Sequence, residues 1–141
     1  MAILSDSDAR PVREMLSEMV NTVKLVFFTQ TIGCETCTPT KQILEELVPL
    51  NEKLSLEEVN FVLEKERAVS YGVDHVPAIV LIGAEDSRIR FYGIPSGYEF
   101  MSLLDAIMLV SLGEPGLSAE SLALLAKVET PLRIQVFSTP T

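Results

Sequence analysis

The sequence predicts an α/β fold, a central four-stranded mixed sheet flanked by helices, and three observations carry that prediction. The run from Val23 to Thr29 is apolar at nearly every position, as a strand buried on both faces requires. The two cysteines of the chain, Cys34 and Cys37, stand between that run and a helical pattern that reaches Leu50. Downstream, apolar runs and turn signals complete the order β-α-β-α-β-β-α, and beyond Leu112 the pattern starts again.

Composition narrows the function classes. With 141 residues, 48% of them hydrophobic, the chain can build one good core and is short for two. A formal charge of −9 repels phosphate-rich surfaces, so neither nucleic acid nor an anionic membrane is an expected partner. Met1 to Asp8 has no basic region leading into an apolar run, so no signal peptide is expected. No apolar stretch approaches the length of a membrane span, and a cytoplasmic protein is the expectation. In a reducing cytosol a closely spaced dithiol is more often catalytic or metal-binding than structural.

Taken in order, Asp8 is placed to cap a first helix with Pro11 in its first turn, and Val12, Met15, Leu16, Met19 and Val20 recur at helical spacing as one apolar stripe. The strand from Val23 to Thr29 leads to the dithiol. In the helix that follows, Ile43, Leu44, Leu47 and Val48 face inward, Lys41, Glu45 and Glu46 face water, and Pro49 ends it. Pro39 cannot donate to a carbonyl four residues back, so this helix is expected to begin near Glu35 or Thr36, with Cys34 just outside its first turn. Leu54, Leu56, Val59 and Phe61 mark a second strand whose alternation breaks at Glu57-Glu58. Glu64 to Tyr71 is a short helix closed by Gly72 in a left-handed cap. Val76 before Pro77 favours extended backbone and opens a third strand, Ala78 to Ile82. Gly83 to Ser87 turns the chain into a fourth, Arg88 to Tyr92, antiparallel to the third. A last helix runs from about Tyr98 to Val110.

Strand, short loop, Cys-x-x-Cys, helix is the setting in which a dithiol reads as a redox site. The unpaired N–H groups and positive end of the helix favour the Cys34 thiolate. Cys34 is therefore assigned as the attacking thiol and Cys37 as the resolving one. Two other readings compete: half of a structural zinc site, and an inert pair of buried or disulfide-linked cysteines. Zinc needs four ligands and only His75 remains, so no metal is expected within one chain.

The element order with a dithiol after the first strand is the thioredoxin-like arrangement. On Cys34-Glu35-Thr36-Cys37, Val76-Pro77-Ala78 and the stretch from Arg90 to Phe100, the chain resembles the N-terminal unit of glutaredoxin-like protein disulfide oxidoreductases, which carry two thioredoxin folds in tandem. It is also similar to the N-terminal domain of alkyl hydroperoxide reductase flavoproteins. The resemblance implies a cis Val76–Pro77 bond beside the two sulfurs. Val76 and Pro77, with Glu35 and Thr36, would then bind the substrate peptide, the backbone before the cis proline pairing with an extended strand.

After Gly113 to Gly116 the pattern restarts: Ser118 is placed to cap a helix bearing Leu122, Leu125 and Ala126, and Leu132 to Phe137 is a strand. Lys24 to Thr29 and Arg133 to Ser138 share the order basic, aliphatic, variable, apolar, Phe, hydroxyl. On that register Thr141 matches Ile32. The expectation is a whole thioredoxin-like unit over residues 1–112 and the truncated start of a second over 113–141. The lone strand is expected to extend the first sheet or to pair with another copy as a homodimer.

Departures from the thioredoxin pattern bear on function. Val23 to Gly33 contains no buried acid to relay protons to Cys37. Glu35 opposes the helix dipole at Cys34, which points to a modest reductant or isomerase. His75 is expected to be a surface or loop histidine, Arg88 and Arg90 to lie on the solvated face of the fourth strand, and Tyr98 and Glu99 to pack and cap the last helix. Three functions follow: disulfide exchange with protein substrates, an electron relay from a thioredoxin-reductase-like flavoprotein to a peroxiredoxin, or a non-catalytic substrate-binding or dimerisation unit. No glutathione motif and no Gly-rich phosphate loop is seen, so no cofactor is expected.

Overall fold

The computed structural model describes residues 2–139. Helix α1 spans Asp6–Leu16, β1 Val23–Thr29, α2 Cys37–Leu47 with a 3₁₀ turn over Val48–Leu50, and β2 Leu54–Asn60. Then come α3 (Lys65–Ser70), β3 (Ala78–Ile82), β4 (Asp86–Tyr92), α4 (Tyr98–Leu112) and α5 (Ala119–Leu125). The strand order is β2-β1-β3-β4, with β1 parallel to β2, antiparallel to β3, and β3 antiparallel to β4. This is the thioredoxin-like arrangement, a mixed four-stranded sheet flanked by helices.

Strand β1 is central and apolar because it is buried on both faces. Val23, Leu25 and Phe27 enter a core shared with α1, α2 and α4, while Val26 and Phe28 face the smaller cluster of Val59, Ala68 and Val73. Strand β2 lies at an edge, where charge is tolerated, and this accounts for the broken alternation. The Glu57 carboxylate joins Lys24 (2.9 Å) and Arg67, and Glu58 meets Lys41 at 2.7 Å. Hydrogen bonds from Arg67 and then Lys24 hold the Glu57 carboxyl below its ordinary range.

Four expectations are corrected. Ser5, not Asp8, caps α1, its Oγ accepting the Asp8 N–H at 3.2 Å. Pro11 therefore sits past the first turn, on an exposed face where water can serve the carbonyl it leaves unpaired. Strand β4 begins at Asp86, because a register shift between Val80 and Ile82 and a left-handed Arg88 (φ 65°) absorb the extra residues within the ladder. Arg88 is exposed, but Arg90 is not a solvated residue. Its guanidinium forks onto Asp86 (2.8 and 2.6 Å), donates to the Tyr71 carbonyl (3.0 Å), and lies over the Tyr71 ring. Tyr98 does not pack against α4's neighbours: it opens the helix 84% exposed, and Gly97 supplies no side-chain cap.

The C-terminal stretch departs further. Ser118 caps α5 as expected, accepting the Ser121 N–H at 3.1 Å. Leu132 to Phe137, however, is not a strand and adds nothing to the sheet, and Leu132, Ile134, Val136 and Phe137 are all exposed. A strand holds its shape through ladder partners, and the β1-like pattern here has none. Ser138 and Thr139 return to line a recess with Ser96, Gly97 and Tyr98 at the start of α4. The expected match of Thr141 to Ile32 lies outside the described residues.

Two polar fasteners tie segments that precede β1 to the helices. Ser111, fully buried near the end of α4, accepts the Val20 and Asn21 N–H groups (2.9 and 3.1 Å) and donates to the Asn21 carbonyl at 2.8 Å. In Ser111→Ala the Val20 N–H and the Asn21 carbonyl, on exposed residues, would turn to water, and the change is expected to cost about 1–2 kcal/mol in denaturant unfolding with activity otherwise retained. On α2, the Glu46 carboxylate accepts the Ile3 (2.9 Å) and Leu4 (2.7 Å) N–H groups, tying the N-terminal segment to the helix. These backbone bonds, Leu4 first, hold its carboxyl below the ordinary 4.5. A lowered folded value means that the tether is fully present above 4.5 and lost as pH falls through the folded value. Amide exchange at Ile3 and Leu4, corrected for intrinsic rates, should accelerate in that acid window, and in Glu46→Gln should be fast already at neutral pH.

Candidate active site

The dithiol stands where β1 ends and α2 begins. Gln30 Nε2 donates to the Ile32 carbonyl (2.8 Å), and Gly33 takes a left-handed φ of 75° that a side chain would oppose. The chain thereby turns sharply out of the sheet and into the helix. Cys37 is the first residue of α2, one or two positions later than the start expected near Glu35 or Thr36. Pro39 is then the third helical residue, whose N–H has no acceptor within the helix in any case. Thr40 closes the turn through both its N–H (3.1 Å) and its Oγ1 (2.7 Å) to the Thr36 carbonyl.

Cys34 and Cys37 form a disulfide with their Cα atoms 5.4 Å apart. Exposure differs sharply: Cys34 is half-buried at the surface, whereas Cys37 is 2% exposed beneath it. Only Cys34 presents a sulfur to an incoming group. Glu35 and Thr36, in the turn between them, are both exposed.

The second part of the site comes from β3. Because Phe28 pairs with Ala78, Pro77 and Val76 run past the end of the ladder on the side where β1 leads toward Cys34. The Val76–Pro77 bond is cis, Pro77 is buried and Val76 half-buried. The Pro77 carbonyl accepts the Gly93 N–H at 2.9 Å, whereas the N–H and carbonyl of Val76 have no hydrogen-bond partner among the described residues. His75 is the exposed loop histidine expected. Its Nδ1 lies 2.6 Å from Asp74, and its ring stacks on Tyr92 with centroids 3.9 Å apart and planes 17° from parallel.

The sequence reading missed part of this surface. Strand β2, parallel to β1, ends at the same edge of the sheet, where the Phe61 N–H reaches the Thr29 carbonyl at 2.9 Å. Asn60 Oδ1 then accepts the Val62 and Leu63 N–H groups (3.0 and 2.9 Å), presenting two exposed apolar side chains on the dithiol's side, where Ile32 is exposed as well. An Asn directly before an apolar run was the available signal for such a turn. Burial of Tyr92 raises its phenol above the ordinary value, with the Asp74 charge adding to the effect. An apolar groove of about 520 Å³ lies between α1 and the start of α4, lined in part by Val12, Met15 and Phe100, but neither cysteine borders it. The dithiol stands outside that groove, at the edge where β1 gives way to α2, with Cys34 reachable from solvent. Among the described residues no cluster of His, Cys, Asp or Glu could hold a metal ion, and no helix is long and apolar enough to cross a membrane.

Comparison with known proteins agrees with this geometry. A protein described as "Probable Thioredoxin" from Methanothermobacter marburgensis is 30% identical over 87 residues, which is 60% of this chain and 96% of the relative. Its counterpart in Methanothermobacter thermautotrophicus is 27% identical over 73 residues, 51% of this chain and 81% of that one. Among solved structures, a protein disulfide oxidoreductase from Aeropyrum pernix K1 superposes with a TM-score of 0.80 at 28% identity, over 90% of this chain. The N-terminal domain of an alkylhydroperoxide reductase from Enterococcus faecalis gives 0.74 at 27% identity, over 82%. The chain spans 56% of each of those two solved proteins. No protein-family model matches it.

Proposed function

Because this chain belongs to the thioredoxin family, we propose that it is a protein thiol–disulfide oxidoreductase working through Cys34 and Cys37. The observation that carries the reading is the asymmetry of the pair: a surface Cys34 over a buried Cys37 at the head of α2, beside a Val76 backbone left without partners. In the reduced protein the Cys34 thiolate attacks one sulfur of a substrate disulfide. That bond breaks, a mixed disulfide forms, and the second substrate sulfur leaves as a thiolate and takes up a proton. Cys37, losing its proton, then attacks the Cys34 sulfur, releasing the first substrate sulfur and closing the Cys34–Cys37 disulfide. Two electrons pass to the substrate, and the protein must be reduced again before the next turn. Val76 holds the substrate strand by its free N–H and carbonyl, with Pro77, Glu35 and Thr36 lining the approach.

An equilibrium titration of the pair against dithiothreitol or glutathione, read by thiol alkylation and mass, tests this directly. A reversible two-electron transition between about −200 and −270 mV, the glutaredoxin-to-thioredoxin range, is expected. A pair locked in either state would make the unit a non-catalytic scaffold.

The likeness to the alkylhydroperoxide reductase domain favours a second reading, a relay that takes electrons from a flavoprotein reductase and passes them to a peroxiredoxin. Peroxide-dependent NADH consumption that requires this chain would support it. In either role we place the protein in the cytoplasm, where the pair can cycle, and read residues 1–112 as one unit and 113–141 as the start of another. A second copy is the partner suited to the exposed Leu132 to Phe137. Self-association should then rise with concentration in sedimentation and be lost in Ile134→Asp/Val136→Asp.

A further inference from the structure

The geometry points to the stack of His75 on Tyr92 as the device that positions the loop before β3 for a docked substrate strand, with both rings as positioning residues. The inference rests on the disulfide-exchange reading and deepens it. The loop from Gly72 to Pro77 is pinned at its ends by backbone, and the Tyr92 hydroxyl adds a 3.4 Å hydrogen bond to the Gly72 carbonyl. The Val73 N–H reaches the Ala68 carbonyl at 2.8 Å, and the Pro77 carbonyl takes the Gly93 N–H at 2.9 Å. Between those pins, Asp74, His75 and Val76 make no backbone hydrogen bond among the described residues. A strand that pairs with incoming peptide must keep those groups free, and so cannot use them to hold its own shape.

Side chains must fix the middle of the loop: Val76 packs against the apolar cluster of Phe28, Val59 and Val80, and His75 reaches Tyr92 on β4. Its ring lies nearly flat on Tyr92, 3.9 Å between centroids, although the side chain is 61% exposed. An exposed histidine held flat on a ring is restrained for a reason other than burial, since water would serve it equally well in other rotamers. Tyr92 is a firm platform: it pairs with Ala78 in the β3–β4 ladder, and packs against the cluster of Phe28, Val59 and Val80. Asp74, 2.6 Å from His75 Nδ1, holds the imidazole at its edge. The stack thus couples the free backbone of Val76 to the sheet while leaving its hydrogen-bonding groups open.

The test uses the whole chain with insulin as the disulfide substrate. His75→Ala should raise KM about 2- to 10-fold, the range an aromatic stack accounts for, with kcat at saturation and the Cys34–Cys37 potential unchanged. His75→Phe, which keeps a flat ring but no titratable nitrogen, should restore KM. Backbone NMR supplies a readout independent of turnover: the amides of Asp74 to Val76 should show new exchange broadening in His75→Ala and not in His75→Phe. Unchanged KM and unchanged amides in His75→Ala would overturn the proposal. So would a failure of His75→Phe to rescue either readout, which would assign His75 a proton or hydrogen-bond role. If the native chain turns over no disulfide at all, the exchange reading fails, while the amide measurement still decides whether the stack holds the loop.

Discussion

Cys34→Ser is expected to abolish disulfide turnover, while Cys37→Ser should stop it one step later with the substrate covalently attached. The two sulfurs differ in what they can touch. Cys34 meets solvent, whereas Cys37, 2% exposed, is closed off from it and bonded to Cys34. On the proposed assignment Cys34→Ser removes the nucleophile itself, and a serine hydroxyl at neutral pH is no substitute, so the loss should be at least about a thousand-fold. In Cys37→Ser the first attack still proceeds, but nothing adjacent can displace the substrate sulfur from Cys34. Mass spectrometry under non-reducing conditions should therefore show a one-to-one mixed disulfide with a model disulfide, released by dithiothreitol. Equal trapping by both single variants would mean that the roles are shared. Trapping by Cys34→Ser alone would reverse them.

Phe27→Ala should be the most destabilising single truncation in β1, by about 3–5 kcal/mol. Phe27 is fully buried at the middle of the central strand, on the face where α1, α2 and α4 pack. The neighbouring strands on both sides are tied to it by ladder bonds and have little freedom to collapse into the space left behind. The midpoint in urea should fall with the slope unchanged, and the Cys34–Cys37 potential measured below that midpoint should shift little, because the site lies at the strand's end and not at its centre. Phe28→Ala faces a smaller cluster, covered by the short α3, and should cost less. A reversed order of the two would show that the face under α3 carries more of the stability than its packing suggests.

Much of this protein is legible in its sequence, and for local reasons. A doubly buried strand must be apolar throughout, so β1 could be bounded to the residue at Val23 and Thr29. The proline at position 39 restricts where α2 can begin, Pro49 follows its end at Leu47 within a 3₁₀ turn, and Gly72 takes the left-handed turn after α3. The spacing of Cys34 and Cys37 between strand and helix was enough to name the pair. The cis Val76–Pro77 bond came from family resemblance on Val76-Pro77-Ala78, not from local chemistry.

What the sequence could not supply are the features decided by which segments become neighbours. The burial of Cys37 under a surface Cys34 depends on how α2 sits on the sheet. The fork of Arg90 onto Asp86 depends on a register shift between β3 and β4, and the platform under His75 on the pairing of Tyr92 with Ala78. Leu132 to Phe137 shows the same limit from the other side. It repeats the β1 pattern almost residue for residue, yet it forms no strand, because a strand's stability resides in partners that the segment itself does not contain.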